Sequence, residues 1–523
     1  MIKYMLDTDI SNKSTRKIRR KGRIIMAEFI KLDPKSLVPL REQNPLLVSY
    51  NVEMTEVTGG TFWKAYTDAQ IDGTEEFPPI KDWRDMGNLQ QYYEPIDLYN
   101  PRLRKMAKAL GVAWVRVSGT WANKTYYDLD GKMGGKLPEG FQNILTREQW
   151  IGVLDFVKAI DGKLLVSVAN CPGIHSAEEP WTPWQAEPLF ALSKEYGVPI
   201  NAAEFTNEPN MMSMSGLPAG YTAEQHARDH ALFGKWLKEN YPDCLFVGPC
   251  TCGDINMFGD MSAGGGIASA LKMVTTEELL GDYKEKCDVF SYHYYNGVSE
   301  RGAAMGGHWP CEKCLSEEYL SLAAYCARQY LDRRDRYVPG GEMWVTESGD
   351  AGCGGNTWAS TYLDVPRTLN ELGEFSQVTR GVIFHNTLAS SDYGYLKHGT
   401  FEPRPNFFAV LLWKKLMGDT VYQTNEPIRE GAHVYAHSRA DGKDGACYLV
   451  INNSKTESTE LELPKEATVY TLSGYEKLRS RTMTLCGKPL TLGEDDALPE
   501  FKGEIIAPGK ISLAPATCTF IVI

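Results

Sequence analysis

Two glutamates stand where they could act on one bond. Asn207-Glu208-Pro209-Asn210 follows the apolar run that starts at Ile200, and Trp344-Val345-Thr346-Glu347-Ser348 ends another such run. A lone glutamate in a turn reads as a solvated loop residue. A converging pair is different, because one carboxyl group can protonate a departing oxygen while the other, ionised, attacks the carbon left behind. Cleavage of a glycosidic bond needs that division of labour, and its retaining form holds the two carboxyl groups about 5 to 5.5 Å apart. Spacing along the chain does not give that distance, so the elements that carry the two residues decide.

Eight short apolar runs, each ending in polar or glycine residues, read as strands: Leu46 to Met54, Val112 to Gly119, Lys163 to Asn170, Ile200 to Asn210, Cys244 to Cys250, Asp288 to Tyr295, Glu342 to Ser348 and Gly381 to Thr387. Most are apolar on both faces, as buried parallel strands are. Between them lie stretches with helical spacing, among them Arg147 to Ile160, Ala223 to Asn240 and Ser316 to Arg334. This alternation predicts an α/β fold, a (β/α)8 TIM barrel, whose active site lies at the carboxyl ends of the strands. Glu208 then follows the fourth strand and Glu347 ends the seventh, on opposite sides of the bore. Glu53 and Glu56, at the end of the first strand, are further carboxylates at the mouth, and Glu53 is a candidate to bind sugar hydroxyls.

After the helical pattern Phe407 to Asp419 the chain reads as short strands rich in β-branched and aromatic residues, which predicts a C-terminal all-β sandwich. The expected division is a basic leader without fold over residues 1–26, the barrel over 27–425 and the sandwich over 426–523. The stretch from Glu28 to Val38 is placed to add a strand to the sandwich.

A chain of 523 residues with 43% hydrophobic residues buries a sizeable core, and a formal net charge of -12 disfavours a nucleic-acid partner. No segment reaches the roughly 18 apolar residues of a membrane helix, and the first residues lack the apolar centre of a signal peptide, so a cytoplasmic location is expected. The twelve cysteines read as reduced and partly buried. Cys250, Cys252, His308, Cys311 and Cys314 form the tightest metal-like grouping, but they hold a single CxxC where structural zinc sites show two matched pairs. The expectation is no metal and no cofactor.

The stretches YNVEMTEVTGGTFW, RVSGTWAN, the NEPN turn, SYHYYNG, WVTESGDAGCGGN and FHNTLASSDYGYL, in this order across the barrel, together resemble glycoside hydrolase family 79, the heparanase and β-glucuronidase family. The resemblance implies that Glu208 is the acid/base and Glu347 the nucleophile. It implies that Asn207 contacts the sugar 2-hydroxyl, that His293 and Tyr295 lie near the nucleophile and that Thr120 touches substrate. Gly354 and Gly355, through backbone N–H groups, and Tyr393, through its phenol, match groups that receive a uronate carboxylate; small glycines let amides approach an anion closely. The chain departs from its mammalian relatives in a shorter SYHYYNG stretch, in having no excised linker and in lacking a basic groove motif. A small glucuronide or uronic-acid-containing oligosaccharide is therefore the expected substrate, cleaved by a retaining, exo-acting enzyme. An endo-acting heparanase-like enzyme, a neutral-sugar β-glycosidase and a non-catalytic carbohydrate-binding barrel are the alternatives. Trp63, Trp121, Trp181, Trp184, Trp309 and Trp358 fall in or near mouth loops, where they stack on sugar rings or pack.

Overall fold

The computed structural model describes residues 29–254, 273–282, 287–424 and 428–523; the leader expected over residues 1–26 lies outside them. Eight parallel strands pair in chain order and close on themselves. They are β1 (Val48–Glu53), β2 (Trp114–Ser118), β3 (Lys163–Ser167), β4 (Ile200–Glu204), β5 (Leu245–Cys252), β6 (Val289–Tyr295), β7 (Glu342–Gly349) and β8 (Ile383–His385). All eight runs read from the sequence supply one strand each. Every residue of β1, β2 and β6 is buried, because one face fills the bore and the other packs on helices. Trp114, Leu165, Val247, Trp344 and Phe384 belong to a separate apolar cluster near the strand starts. The later positions on the strands carry buried polar groups instead, among them Asn51, Arg116, Ser167, Glu204 and His293.

Helix starts follow the local chemistry. Thr146 and Gln149 close a capping box on Arg147–Ala159, and Thr222 and Gln225 do the same for Ala223–Asn240. The stretch read as one helix from Ser316 to Arg334 is two, Glu317–Leu320 and Leu322–Tyr337. The final helix, Pro405–Leu416, stops short of Asp419. Gly418 and Asp419 are weak helix formers, and the backbone of Met417–Gln423 pairs instead with His433–Arg439 on one side and Val38–Glu42 on the other.

Apart from two short two-stranded sheets, Gly60–Trp63 with Gln90–Tyr93 and Thr125–Asp128 with Asn143–Thr146, the other strands among the described residues form two facing sheets. The larger runs in the order Val38–Glu42, Met417–Gln423, His433–Arg439, Cys447–Asn452, Thr517–Val522, Ala467–Gly474, Met483–Leu485, Lys488–Pro489, with Glu504–Ile506 also on Ala467–Gly474. The smaller holds Ile30–Lys31, Thr459–Leu463 and Gly509–Leu513. Ile30, Val434, Val450, Leu461 and Ile521 fill the space between the sheets. On the outer face of the large sheet, Tyr435, Leu449, Leu472 and Phe520 join the core of the barrel itself. The helix Val365–Val378 contributes to that junction and is buried over most of its length. Its Asn370 Oδ1 accepts from the Tyr435 hydroxyl (2.7 Å) and lies 2.7 Å from His433 Nδ1. All twelve cysteines are free, and no helix among the described residues is long and apolar enough to cross a membrane.

Candidate active site

The polar centre of the mouth is organised by a residue that the sequence reading passed over. Arg116, fully buried in the middle of β2, donates from Nε to Glu204 Oε2 (2.9 Å), from Nη1 to Glu347 Oε1 (2.9 Å) and from Nη2 to Asn207 Oδ1 (2.8 Å). Its Nη2 also lies 3.3 Å from His293 Nε2. Its mark in the sequence is one arginine between two valines in an otherwise apolar run, Val112 to Gly119.

The register sets His293 on β6 directly beside Glu347 on β7. His293 Nδ1 lies 2.9 Å from Glu208 Oε1 and 3.6 Å from Glu347 Oε2. Because a single nitrogen reaches both carboxylates, these two oxygens are no more than about 6.5 Å apart. A guanidinium can only donate, so His293 Nε2 accepts from Arg116 and the ring proton sits on Nδ1, aimed at Glu208.

Glu347 also accepts from the Tyr295 hydroxyl (2.8 Å). Burial alone would raise its pKa; His293, Arg116 and Tyr295 outweigh that and hold the carboxyl below the ordinary glutamate range. Tyr295 in turn accepts from Asn386 Nδ2 (2.8 Å), which is also 3.2 Å from the Tyr393 hydroxyl. Glu53 has the opposite setting. Burial, then the Glu347 and Glu56 carboxylates, push it well above the ordinary range, which favours the protonated, hydrogen-bond-donating form.

Glu208 is carried by a strained turn. Its φ is +46°, a left-handed conformation that costs an ordinary residue on the order of 1–3 kcal/mol, and a following proline restricts it further. The turn is clamped from outside. Asn123 accepts from Asn207 N (2.9 Å) and donates to Asn207 O (2.9 Å), while Asn210 bonds both the N–H and the carbonyl of Cys252 at the end of β5. With Asn207 Oδ1 committed to Arg116, its Nδ2 is the group left to meet a ligand.

Among the described residues, Glu208, Cys252 and His293 are one grouping whose ligand atoms all lie within 4.8 Å of one another, a spacing that suits a metal ion. The tautomer opposes that use, since the Nδ1 that faces Glu208 carries the proton. The metal-like grouping noted in the sequence is dispersed. Cys250 Sγ lies 3.1 Å from Ser291 Oγ inside the barrel, His308 Nδ1 is 3.0 Å from Val298 O, and Cys311 and Cys314 neighbour each other in the loop beyond β6.

Of the other expected site residues, Gly354 and Gly355 form a turn beyond β7 with φ of +85° and +83°. A Cβ on Gly354 would lie 2.7 Å from Trp63 Cγ, so a side chain there collides with the indole. Gly355 N–H donates to Ala351 O (3.2 Å) within the turn. Tyr393 is buried, its ring stacked loosely on Tyr295 at 6.4 Å. Thr120 is half-buried just past β2, outside the hydrogen-bond network described. Trp181 and Trp358 are buried packing residues; Trp309 packs on Tyr319, Trp121 lies under Lys124, and Trp184 is exposed beside Phe141.

No protein-family profile matches the chain. It is 25% identical over 407 residues to heparanase-like protein 1 of Arabidopsis thaliana, which covers 75% of this chain and 71% of that one. It is 24% identical over 472 residues to the hyaluronoglucuronidase of Hirudo nipponia, covering 82% of this chain and 90% of the relative. The chain is similar to heparanase-like and glucuronidase proteins, and it is a glycoside hydrolase. In fold, the hydrolase resembles a solved 4-O-α-L-rhamnosyl-β-D-glucuronidase from Fusarium oxysporum, with a TM-score of 0.63, 12% identity and coverage of 95% of this chain and 100% of that one.

Proposed function

We propose that the protein is a retaining β-glucuronidase that removes terminal glucuronic acid from small glucuronides or oligosaccharides. The observation that supports this reading is the shared contact of His293 Nδ1 with Glu208 and Glu347, which brings one oxygen of each carboxyl group within about 6.5 Å of the other and is compatible with the shorter spacing of a double displacement. Glu347, held ionised by Arg116 and Tyr295, attacks the anomeric carbon as the glycosidic C–O bond breaks. Glu208 gives its proton to the departing oxygen and then takes one from the water that frees the sugar from Glu347. Asn207 Nδ2 is placed to bind the 2-hydroxyl, and protonated Glu53 to donate to another hydroxyl.

A uronate carboxylate fits beside the Tyr393 phenol and the Gly354 amide. Both are neutral donors, and the named activities of the heparanase-like and hyaluronoglucuronidase relatives support a uronic acid. The test compares 4-nitrophenyl β-glucuronide with the matching glucoside. The glucuronide is expected to be favoured by a large factor, because donors built for an anion go unpaired with the neutral sugar. Tyr393→Phe should narrow that preference by roughly ten- to a hundred-fold, the worth of one hydrogen bond to a charged group. Equal turnover of both sugars by the unaltered enzyme refutes the uronate assignment and leaves the two-glutamate mechanism in place.

A further inference from the structure

Behind the turn that carries Gly354 lies a buried arginine. Arg301 belongs to the 3-10 segment Glu300–Met305, which follows β6 after a short link, and is 1% exposed. Its Nη1 donates to the carbonyl oxygens of Cys353 (3.3 Å) and Gly355 (3.0 Å). Its Nη2 donates to Lys64 O (2.6 Å) and Asp392 Oδ2 (2.6 Å). The guanidinium carbon stands 3.6 Å from the centre of the Tyr66 ring, and the Tyr66 hydroxyl donates to Gly355 O (2.9 Å). Ser299 Oγ adds a bond to Cys353 O (2.9 Å). Two alternate carbonyls of one turn are thus drawn to one side.

A trans peptide carries its C=O and N–H on opposite sides, so a Cys353 carbonyl fixed on Arg301 turns the Gly354 N–H away from it. The same turn also borders the candidate site. Cys353 packs against the cluster that contains Tyr295, Tyr393 and Cys252. Burial, opposed by Arg301 and reinforced by Glu208, pushes its thiol up to about 12, so this residue feels both sides. Asp392, also 1% exposed, pairs with the guanidinium, so the pair brings little net charge to the mouth. What it delivers is direction.

We propose that Arg301 is a positioning residue for substrate choice: by holding the carbonyls of Cys353 and Gly355 it aims the Gly354 amide at the sugar's C6 carboxylate without touching the sugar. The inference rests on the uronate reading above. Lysine cannot replace it, because a single ammonium lacks the planar fork that reaches two carbonyls and a carboxylate together.

The experiment measures kcat and KM for 4-nitrophenyl β-glucuronide and β-glucoside with the unaltered enzyme, Arg301→Lys and Tyr66→Phe. Arg301→Lys is expected to lower the glucuronide-to-glucoside ratio of kcat/KM by about tenfold or more, chiefly through KM for the glucuronide, while glucoside turnover stays within about threefold. Tyr66→Phe keeps the ring under the guanidinium and removes one bond to Gly355, so a narrowing of a few-fold is expected, and it decides the matter if Arg301→Lys does not fold. Parallel loss on both sugars, with the ratio intact, overturns the proposal and leaves Arg301 a structural support. If the unaltered enzyme shows no preference for the glucuronide, the uronate reading falls and takes this inference with it.

Discussion

Glu347 and Glu208 should fail in different ways when altered. On the proposed mechanism Glu347→Ala removes the attacking group and is expected to lower kcat by several powers of ten, with partial rescue by azide; near-normal activity would remove Glu347 from the mechanism. Glu208→Gln should hurt most with poor leaving groups, because an activated phenol needs little protonation, and rates with a series of aryl glycosides check it. Arg116 offers a sharper test of the ion network. Arg116→Met strands Glu204 and Glu347 as buried charges, which costs about 3–5 kcal/mol of stability in a denaturant titration. In Arg116→Lys, where the charge and the fold are more easily kept, the acid limb of kcat/KM against pH should move modestly to higher pH, since the ammonium lacks the fork that bonds Glu347 and Glu204 together. An unmoved limb would mean that Arg116 does not tune Glu347. Both glutamates were legible in the sequence because each sits at a strand end beside a recognisable turn. Arg116 and Asn386 were not, since their roles arise from which strands become neighbours, and a residue type inside one apolar run does not say what faces it across the bore.

At the level of elements, the capping of one short helix links the mouth to solution pH. Met54–Thr58 opens with a capping box in which Glu53 and Glu56 each bond the other's backbone, and Glu53 N–H donates to Glu56 Oε2 at 2.7 Å. Burial, against that one backbone bond, pushes Glu56 up to about 8 from an ordinary 4.5. Between those values the folded chain holds a proton that the unfolded chain has lost. Stability from this group is therefore complete below the lower value and drains away as pH rises to the upper. Glu56→Gln should flatten the fall of unfolding free energy with pH by up to one proton's worth, about 1.4 kcal/mol per pH unit, read from denaturant titrations at several pH values. An unchanged slope would show that Glu56 ionises normally. The strands themselves were readable because buried parallel strands are unbroken apolar runs. Their neighbour Met417–Gln423 was not, as its helical look continues from Pro405–Leu416 and only pairing on both edges makes it a strand.

Across the whole molecule, barrel and sandwich share one core. Gly373, inside the helix Val365–Val378, shows how tightly they meet, since a Cβ there would lie 2.4 Å from the Tyr435 ring. Alanine normally gains about 1 kcal/mol over glycine in a helix, yet overpacking costs about 1–3 kcal/mol, so Gly373→Ala should destabilise. Calorimetry should show a single unfolding transition, moved to lower temperature as a unit. Two separable transitions, with only one displaced, would contradict a common core. The pairing of Ile30–Lys31 with Thr459–Leu463, and of Val38–Glu42 with Met417–Gln423, has a bearing on synthesis. On the ribosome these two early strands emerge before the barrel and wait, with unsatisfied edges, until their partners some four hundred residues later are translated. The seam that joins these early strands to the late part of the chain can form only after that part has emerged. A pause in translation short of residue 417 would leave a nascent barrel trailing open strand edges, the state in which this protein is most exposed to aggregation.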